Sequence, residues 1–473
     1  MNRRAHRPGV VVATGSLLVL AVAGSHAIAA DEGFAAMLAD AGIELGELRE
    51  LADAARSDAP LAAENHRTAR QTLRRLRQLG EATLAEQAGT IDATAPGELV
   101  AVGGDAIAVR MLPGDSEPSV PDELPTVAAS VTIVTRSGPV VVLTSALPRA
   151  WRDPTPSNDL PEHVRVTGVL LDEFDPTAAN PDDVPCVVLA TRLQWLPRER
   201  VPAGWRWLAE HGLDVSLLDE VRHKQPFVEP RVSREGEAFH VCLETVAAGN
   251  ADELERLAAA DIAARLPAIR EALANARAAA SAANASREQA TAVALAAAEL
   301  ERGEAGRSSA APLFLRPEES LGQFVLVEGI VRRAAKIFGE EGAISHFEID
   351  LYPVDSQNMP IVCCVARLPA GFPLGDAVRE QARVAGFFFK LWTYRTRPDA
   401  DGGTKTSAAP IVIAAEPTWL HAPTPIESNR WAIAGGAAFL VGLAGLWIAL
   451  WRSHRGERRR PARIEAPPLR LPE

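Results

Sequence analysis

The stretch Gly322-Gln-Phe-Val-Leu-Val-Glu-Gly329 decides the fold of this 473-residue chain, because a closely similar stretch occurs earlier as Gly97-Glu-Leu-Val-Ala-Val-Gly-Gly104. Each contains four consecutive apolar residues between glycines. Runs of this kind are typical of β-strands. Their recurrence indicates an internal repeat, which predicts the architecture better than any single motif.

Three further strand-like stretches recur in the same order in both halves of the chain. The matching stretches are Pro139-Val-Val-Val-Leu143 with Pro360-Ile-Val-Cys-Cys364, Arg165-Val-Thr-Gly168 with Arg383-Val-Ala-Gly386, and Pro185-Cys-Val-Val-Leu-Ala190 with Pro410-Ile-Val-Ile-Ala-Ala415. We therefore predict two copies of one β unit, at 96–197 and 311–422.

Each β unit is expected to contain about five strands, a number common in small sheets. In the second unit the predicted strands are Phe324–Ala334, Ser345–Tyr352, Ile361–Leu368, Ala382–Trp392 and Ile411–Ala415. The opening Val327-Glu-Gly-Ile-Val-Arg-Arg333, the long loop before the fourth strand and the Val-x-Gly within that strand resemble an OB-fold barrel. A small β-sandwich is the alternative.

Helical segments precede both β units and also repeat. The stretch from Leu38 to Leu51 matches the stretch from Leu208 to Val221, and a proline and a helical pattern follow each. We predict helical modules at 30–95 and 198–310. The second module includes an Ala-rich segment, 252–304, whose leucines have near-helical spacing. That segment is expected to form one or two helices, with a break near Pro267 or at 281–286.

The N-terminus has the pattern of a signal peptide, which we place at 1–29. Three arginines precede the uncharged run from Val10 to Gly24, and Ala27-Ile28-Ala29 follows as a cleavage pattern. An uncleaved anchor is the alternative, and in both cases the following chain is exported.

The C-terminal segment 431–451 has the pattern of a transmembrane helix. Its 21 residues carry no charge and have tryptophans near both ends. A helix of that length spans about 31 Å, close to the hydrocarbon thickness of a bilayer. A linker, 423–430, precedes it. The arginine-rich tail, 452–473, predicts a cytoplasmic C-terminus by the positive-inside rule.

The exported part is strongly acidic. The chain has a net charge of −12, and removing the +3 of residues 1–29 and the +4 of residues 452–473 leaves −19 for the remainder. Such a charge repels phosphate backbones, so we expect no nucleic acid among the partners.

A resemblance to a known group of proteins rests on three segments: Ala311-Pro-Leu-Phe-Leu-Arg-Pro317, Gly386-Phe-Phe-Phe-Lys390 and the run from Pro410 to Trp419. The chain resembles exported, membrane-anchored bacterial proteins of the planctomycete type, which are uncharacterised. The resemblance implies the helical module, the OB-like unit and the C-terminal anchor, and it implies no activity.

Aromatic residues around Lys390 form the candidate ligand-binding face. Trp392 and Tyr394 lie close to Lys390 in the sequence, and exposed aromatic rings on the face of an OB-like barrel can stack sugars or bases. Core packing is the alternative for this region. In particular, Phe387, Phe388 and Phe389 must point to both sides of the sheet.

Other candidate sites have weaker support. His346, Glu348 and Asp350 alternate on one strand face, which allows either a metal site or a solvent-facing surface.

The four cysteines show no CxxC or zinc spacing, and we expect free buried thiols, with a Cys186–Cys242 or Cys242–Cys363 bridge as the alternative. The chain contains no H-E-x-x-H, G-x-S-x-G or phosphate-binding glycine motif, so we expect no catalysis and no cofactor.

The transmembrane segment has one patterned face. Gly435, Ala438, Gly442, Gly445 and Ala449 follow one another at spacings of three and four residues, and they form a stripe of small residues. Such a stripe allows close helix packing, although glycine and alanine can also simply face lipid.

Together these observations predict an α+β protein with two helical modules alternating with two five-stranded OB-like barrels or sandwiches, followed by one transmembrane helix. We expect a single-pass envelope protein whose bulk is extracytoplasmic. Its expected role is binding or assembly, with another membrane or envelope protein or a second copy as partner. A carbohydrate- or peptidoglycan-binding module is the alternative, and a metal-binding or enzymatic ectodomain is the least supported one.

Overall fold

Several strands, such as Pro139–Thr144 and Ile361–Val365, are apolar and buried on both faces, which requires cover on both sides of the sheet. In the computed structural model, the described residues are 33–57, 60–112, 127–152, 162–174, 186–227, 233–281, 286–339, 343–395, 406–420 and 430–457. The predicted signal peptide, the linker up to residue 429 and the tail from residue 458 lie outside the described residues.

The helices fall into three groups along the chain. They are α1 (Phe34–Asp40), α2 (Leu45–Arg56), α3 (Ala63–Leu79), α4 (Glu81–Gln87), α5 (Ala203–Glu210), α6 (Glu235–Ala247), α7 (Ala251–Ala280), α8 (Arg287–Glu304), α9 (Ala311–Leu315), α10 (Pro317–Ser320) and α11 (Arg430–Glu457).

The strands form two sheets, β1–β7 and β8–β13. They are β1 (Gly89–Thr90), β2 (Leu99–Met111), β3 (Ala129–Val134), β4 (Pro139–Thr144), β5 (Glu162–Leu170), β6 (Cys186–Ala190), β7 (Gln194–Trp195), β8 (Phe324–Phe338), β9 (Ile344–Pro353), β10 (Ile361–Val365), β11 (Glu380–Arg395), β12 (Thr406–Ala414) and β13 (Thr418–Trp419).

Five strands of the first sheet close into a barrel, here called barrel 1 (β2–β6). β2 pairs antiparallel with β3, β3 antiparallel with β4, and β4 parallel with β6. β5 closes the ring by pairing antiparallel with both β6 and β2. A five-stranded closed ring of this kind is OB-like.

The second sheet joins its strands in the same cyclic order, and β8–β12 are here called barrel 2. β8, β9 and β10 pair antiparallel in sequence, and β10 pairs parallel with β12. β11 pairs antiparallel with both β12 and β8. The chain is therefore a mixed α+β protein with a closed five-stranded barrel and a second sheet of matching pairing order.

The two faces of each barrel belong to different apolar cores. In barrel 1, Val140 and Val142 lie in the core that fills the barrel, whereas Val141 and Leu143 pack against α1–α4 on the outside. In barrel 2, Ile361 and Cys363 fill the interior, together with α9. The outer face of barrel 2, which includes Phe387 and Ile411, packs against α5, α6 and α7.

Glycines at matching positions allow strands to approach closely. A Cβ on Gly168 would overlap the carbonyl oxygen of Leu189, and a Cβ on Gly386 would overlap the carbonyl oxygen of Ile413. Both glycines lie where the strand crosses its neighbour in the ring, so a side chain there would force the strands apart.

The Ala-rich segment is helical but does not break where a proline predicts a break. α7 runs without interruption from Ala251 to Ala280 with Pro267 inside it, so the predicted break at that residue is wrong. The chain leaves the helix at Ser281 instead. α8 starts after Ser286, whose side chain forms a capping box with Gln289. Such a box satisfies amides at the start of a helix, and this favours a new helix at that point.

The described residues up to Leu420 form one compact unit, and α11 belongs to a second unit, 421–473. Within α11 the segment Gly435–Arg452 is long and apolar enough to cross a membrane, with a mean hydropathy of 1.4. None of its residues is buried, which distinguishes the segment from a buried core helix.

Candidate functional site

The predicted ligand face lies on β11, next to a β-bulge. The pairing of β11 with β12 is regular up to Phe388 and resumes at Lys390, so Phe389 is the extra residue. Phe388 points into barrel 2, while Phe387 and Phe389 point outward. The expectation that the three phenylalanines face both ways is confirmed. The bulge also leaves Lys390 on the outer side of the barrel.

Lys390 is not at the surface, contrary to its predicted place on an exposed face. Its side chain has no accessible area, and its Nζ lies 2.5 Å from Oε1 of Glu235, which is equally inaccessible. Nζ also donates to the carbonyl of Pro226 at 3.1 Å and lies 4.9 Å from the ring centroid of Phe227. Burial lowers the pKa of Lys390, and the hydrogen bond and charge of Glu235 oppose that change.

The segment 223–227 covers Lys390 because it runs alongside β11. The amide of Lys224 donates to the carbonyl of Leu391 at 2.7 Å, and the amide of Leu391 donates to Nδ1 of His223 at 3.2 Å. Glu235, at the start of α6, accepts the amide of Arg222 at 2.8 Å. The ion pair therefore joins the second helical module to barrel 2 and is a structural contact rather than a ligand site.

Trp392 and Tyr394 remain partly accessible on the same outer face. Their rings stack on each other with centroids 4.9 Å apart. Both rings pack against the apolar core that includes the interior of barrel 1 and the outer face of barrel 2, here called the shared core. Each ring therefore uses one face for its neighbour. Without Lys390, the candidate ligand face is reduced to these two half-buried rings.

Arg333, on the neighbouring strand β8, contacts two of the three residues on the candidate metal-binding face of β9, namely Glu348 and Asp350. Nη1 of Arg333 lies 3.4 Å from Asp350 and 3.5 Å from Glu348. Burial raises the pKa of Asp350, and the charge of Arg333 opposes that rise. Asp350 is thus turned toward an arginine. The third residue that lies close to His346 and Glu348 is Cys364, which strand spacing alone did not identify.

His346 and Cys364 lie under α6. His346 is buried, with Phe239 of α6 at a ring distance of 5.6 Å. Burial, together with the charge of His240 on the same helix, lowers the pKa of His346 to about 4. Burial raises the pKa of the Cys364 thiol well above its ordinary value.

All four cysteines are free and buried, as expected from their spacing. The adjacent pair on β10 points in opposite directions: Cys363 belongs to the interior of barrel 2, and Cys364 belongs to the core outside it. Alternation along a strand produces this separation. The two thiols therefore have different neighbours despite being consecutive.

A charged cleft lies where α3 and α4, barrel 1 and α6 meet. Arg192 in this cleft contacts Asp214 at 2.8 Å and Glu81 at 3.0 Å. Arg234 contacts Glu237 at 2.5 Å. These charged side chains form ion pairs with one another. The cleft therefore connects the helical modules to barrel 1 and offers few charged groups to a ligand.

On α11 the predicted stripe of small residues is accessible. A Cβ added at Gly435, Gly442 or Gly445 would meet no atom within 4 Å. Ala438 and Ala449 lie on the same face, and both are exposed. Nothing in this unit occupies the stripe among the described residues.

Comparison with known proteins adds no family assignment. A scan against protein-family models finds no match, and no curated protein matches the sequence significantly. Inferences about function therefore rest on the geometry described above.

We predict that breaking the buried ion pair destabilises the protein strongly. Lys390→Met removes the ammonium group that contacts the buried Glu235 carboxylate, and we expect a loss of about 3–5 kcal/mol in the free energy of unfolding. Chemical denaturation measures it. The double variant Lys390→Met/Glu235→Met should recover most of this loss. A single variant as stable as the parent would show that the pair does not hold the second helical module in place.

Proposed function

We propose that this chain is a membrane-anchored extracytoplasmic protein of the cell envelope that acts in binding or assembly rather than catalysis. The observation that carries the proposal is the accessible apolar segment Gly435–Arg452, which follows a compact unit ending at Leu420. An exposed apolar segment of this length has a natural place in a bilayer.

The proposed orientation rests on charge and on the N-terminal pattern. The apolar segment ends in Arg452 and further arginines follow it, and lysine and arginine next to a membrane span favour the cytoplasmic side. The signal-peptide pattern of residues 1–29 agrees with export of the compact unit. The acidic charge of that unit disfavours nucleic acid as a partner.

We propose further that the exported part arose by duplication of one helix-covered barrel. Matching backbone hydrogen bonds support the proposal. The amide of Gly97 donates to Leu170 at 2.8 Å, and the amide of Gly322 donates to Phe388 at 2.8 Å. At the other end of the same strands, the amide of Leu196 donates to His163 and the amide of Leu420 donates to Gln381. We also propose that the chain is related to the planctomycete-type exported proteins that it resembles.

The location of the accessible apolar surface supports a binding role. In both barrels the helices of the preceding module cover most of the outer apolar face, and single apolar side chains such as Ile107 and Phe338 remain exposed. The segment Gly435–Arg452 is accessible throughout and has one face of small residues. Close packing of that face against another membrane helix, from a second copy or from another envelope protein, is the interaction we propose.

The orientation can be tested with the full-length protein in its own membranes. We predict that it resists extraction by alkaline carbonate, because the apolar segment spans the bilayer. Protease added to the extracytoplasmic side should degrade the bulk of the chain and spare a C-terminal fragment that carries the arginine-rich tail. Release by carbonate, or protection of the bulk, would contradict the proposed topology.

Self-association can be tested on the small-residue face. We predict that Gly442→Leu/Gly445→Leu lowers crosslinking between membrane helices, because the larger side chains keep the helix backbones apart. The control is Gly436→Leu/Ala444→Leu, which makes a similar change on the opposite side of a helix with 3.6 residues per turn. If both double variants crosslink like the parent, α11 serves as an anchor only.

A further inference from the structure

Three side chains of different chemistry converge between α6 and the outer face of barrel 2. A ring nitrogen of His346, a carboxylate oxygen of Glu348 and the sulfur of Cys364 all lie within 4.8 Å of one another. His346 and Cys364 are buried, and Glu348 is half-buried. Nitrogen, oxygen and sulfur donors from three residues at this separation form a candidate metal site.

The strand register explains why these residues meet. β9 and β10 pair antiparallel, and Glu348 stands directly opposite Cys364. His346 is two residues from Glu348, so it lies on the same face of β9. The site is therefore held by two paired strands, at one end of the β9–β10 ladder, and not by a loop, which gives it a fixed geometry.

Barrel 1 shows that the fold does not need a histidine, a carboxylate or a thiol at these positions. On its corresponding strands, Leu143 stands opposite Ser130, in the arrangement in which Cys364 stands opposite Glu348. Ala128, two residues before Ser130, occupies the position that corresponds to His346. Barrel 1 thus packs the same face with small and apolar side chains. The His, Glu and Cys of barrel 2 require another explanation than barrel packing.

The surroundings suit a bound divalent cation. A thiolate and a carboxylate together would carry two negative charges, and a divalent cation balances them. Arg333 contacts Glu348 at 3.5 Å and Asp350 at 3.4 Å from the same nitrogen, and both distances are longer than a strong charge-assisted hydrogen bond, so a cation can compete for the Glu348 carboxylate. The hydroxyl of Ser345 lies 3.2 Å from Nδ1 of His346 and can orient the ring from outside the site.

We propose that His346, Glu348 and Cys364 bind one zinc ion. Mixed imidazole, carboxylate and thiolate donors are typical zinc ligands, with metal–ligand distances of about 2.0–2.3 Å. Ligand atoms around such an ion lie roughly 3.5 Å apart, so small side-chain rotations complete the site. Three protein ligands leave one tetrahedral position for water, for a partner's side chain or for His240 on α6. This inference is independent of the membrane role proposed above.

Zinc content of the full-length protein tests the proposal. The protein is purified in detergent with a reductant, stripped with a chelator, dialysed against zinc and measured by atomic emission. We expect one zinc ion per chain in the parent. Cys364→Ala and His346→Ala should each weaken zinc binding at least about tenfold, since even outer-shell changes cost 10–100-fold. Cobalt substitution should give a thiolate-to-cobalt charge-transfer band that Cys364→Ala abolishes.

The neighbouring cysteine provides a matched control. Cys363 is as buried as Cys364 but lies inside barrel 2, so Cys363→Ala should keep the zinc ion and the cobalt band. If Cys364→Ala does not fold, as judged by circular dichroism, Cys364→Val retains the apolar packing and takes its place. A parent protein without zinc after dialysis, or a folded Cys364 variant with full zinc content and an unchanged cobalt band, would overturn the proposal.

Discussion

Two tryptophans of α5 connect the two barrels. Trp205 and Trp207 are two residues apart, so on a helix they project in nearly opposite directions. Trp205 packs edge-on against Trp195 beside barrel 1, at 5.8 Å, and donates its indole N–H to Leu321 at 2.7 Å. Trp207 packs against Phe387 on the outside of barrel 2, at 5.2 Å. The interior of barrel 1 and the outer face of barrel 2 therefore belong to one continuous core.

The buried Lys390–Glu235 pair adds specificity to that core. A lysine and a glutamate without accessible area stabilise a fold only when their partners are in place. Here the partners come from the segment 223–227 and the start of α6, so displacing the second helical module would separate Lys390 from Glu235 and from the carbonyl of Pro226. The same module carries Phe239, which covers the His346, Glu348 and Cys364 cluster. One packing arrangement thus positions both the shared core and the candidate metal ligands.

Much of the fold could be predicted from the sequence, because apolar runs between glycines and prolines mark the strands, and their recurrence marks the two barrels. Register could not be predicted to the residue. The sequence match aligns Pro185 with Pro410, whereas the pairings of Val141 with Val187 and of Val362 with Ile411 shift that alignment by one residue. Both runs are apolar at every position, so a one-residue slip leaves their pattern unchanged. For the same reason the candidate trio on β9 included Asp350 and missed Cys364, whose position opposite Glu348 depends on register. The burial of Lys390 could not be predicted from the sequence either, because its partner Glu235 lies 155 residues away along the chain.

Native-state hydrogen exchange of the full-length protein tests most directly whether the compact unit that ends at Leu420 is one cooperative unit. The comparison is between amides of β6 in barrel 1 and amides of β12 in barrel 2, followed as denaturant is raised. A continuous core predicts that the most protected amides of both strands exchange through the same global opening, with equal opening free energies. Exchange of β6 through a separate, lower-energy opening that leaves β12 protected would contradict it, and the barrels would then be independent domains.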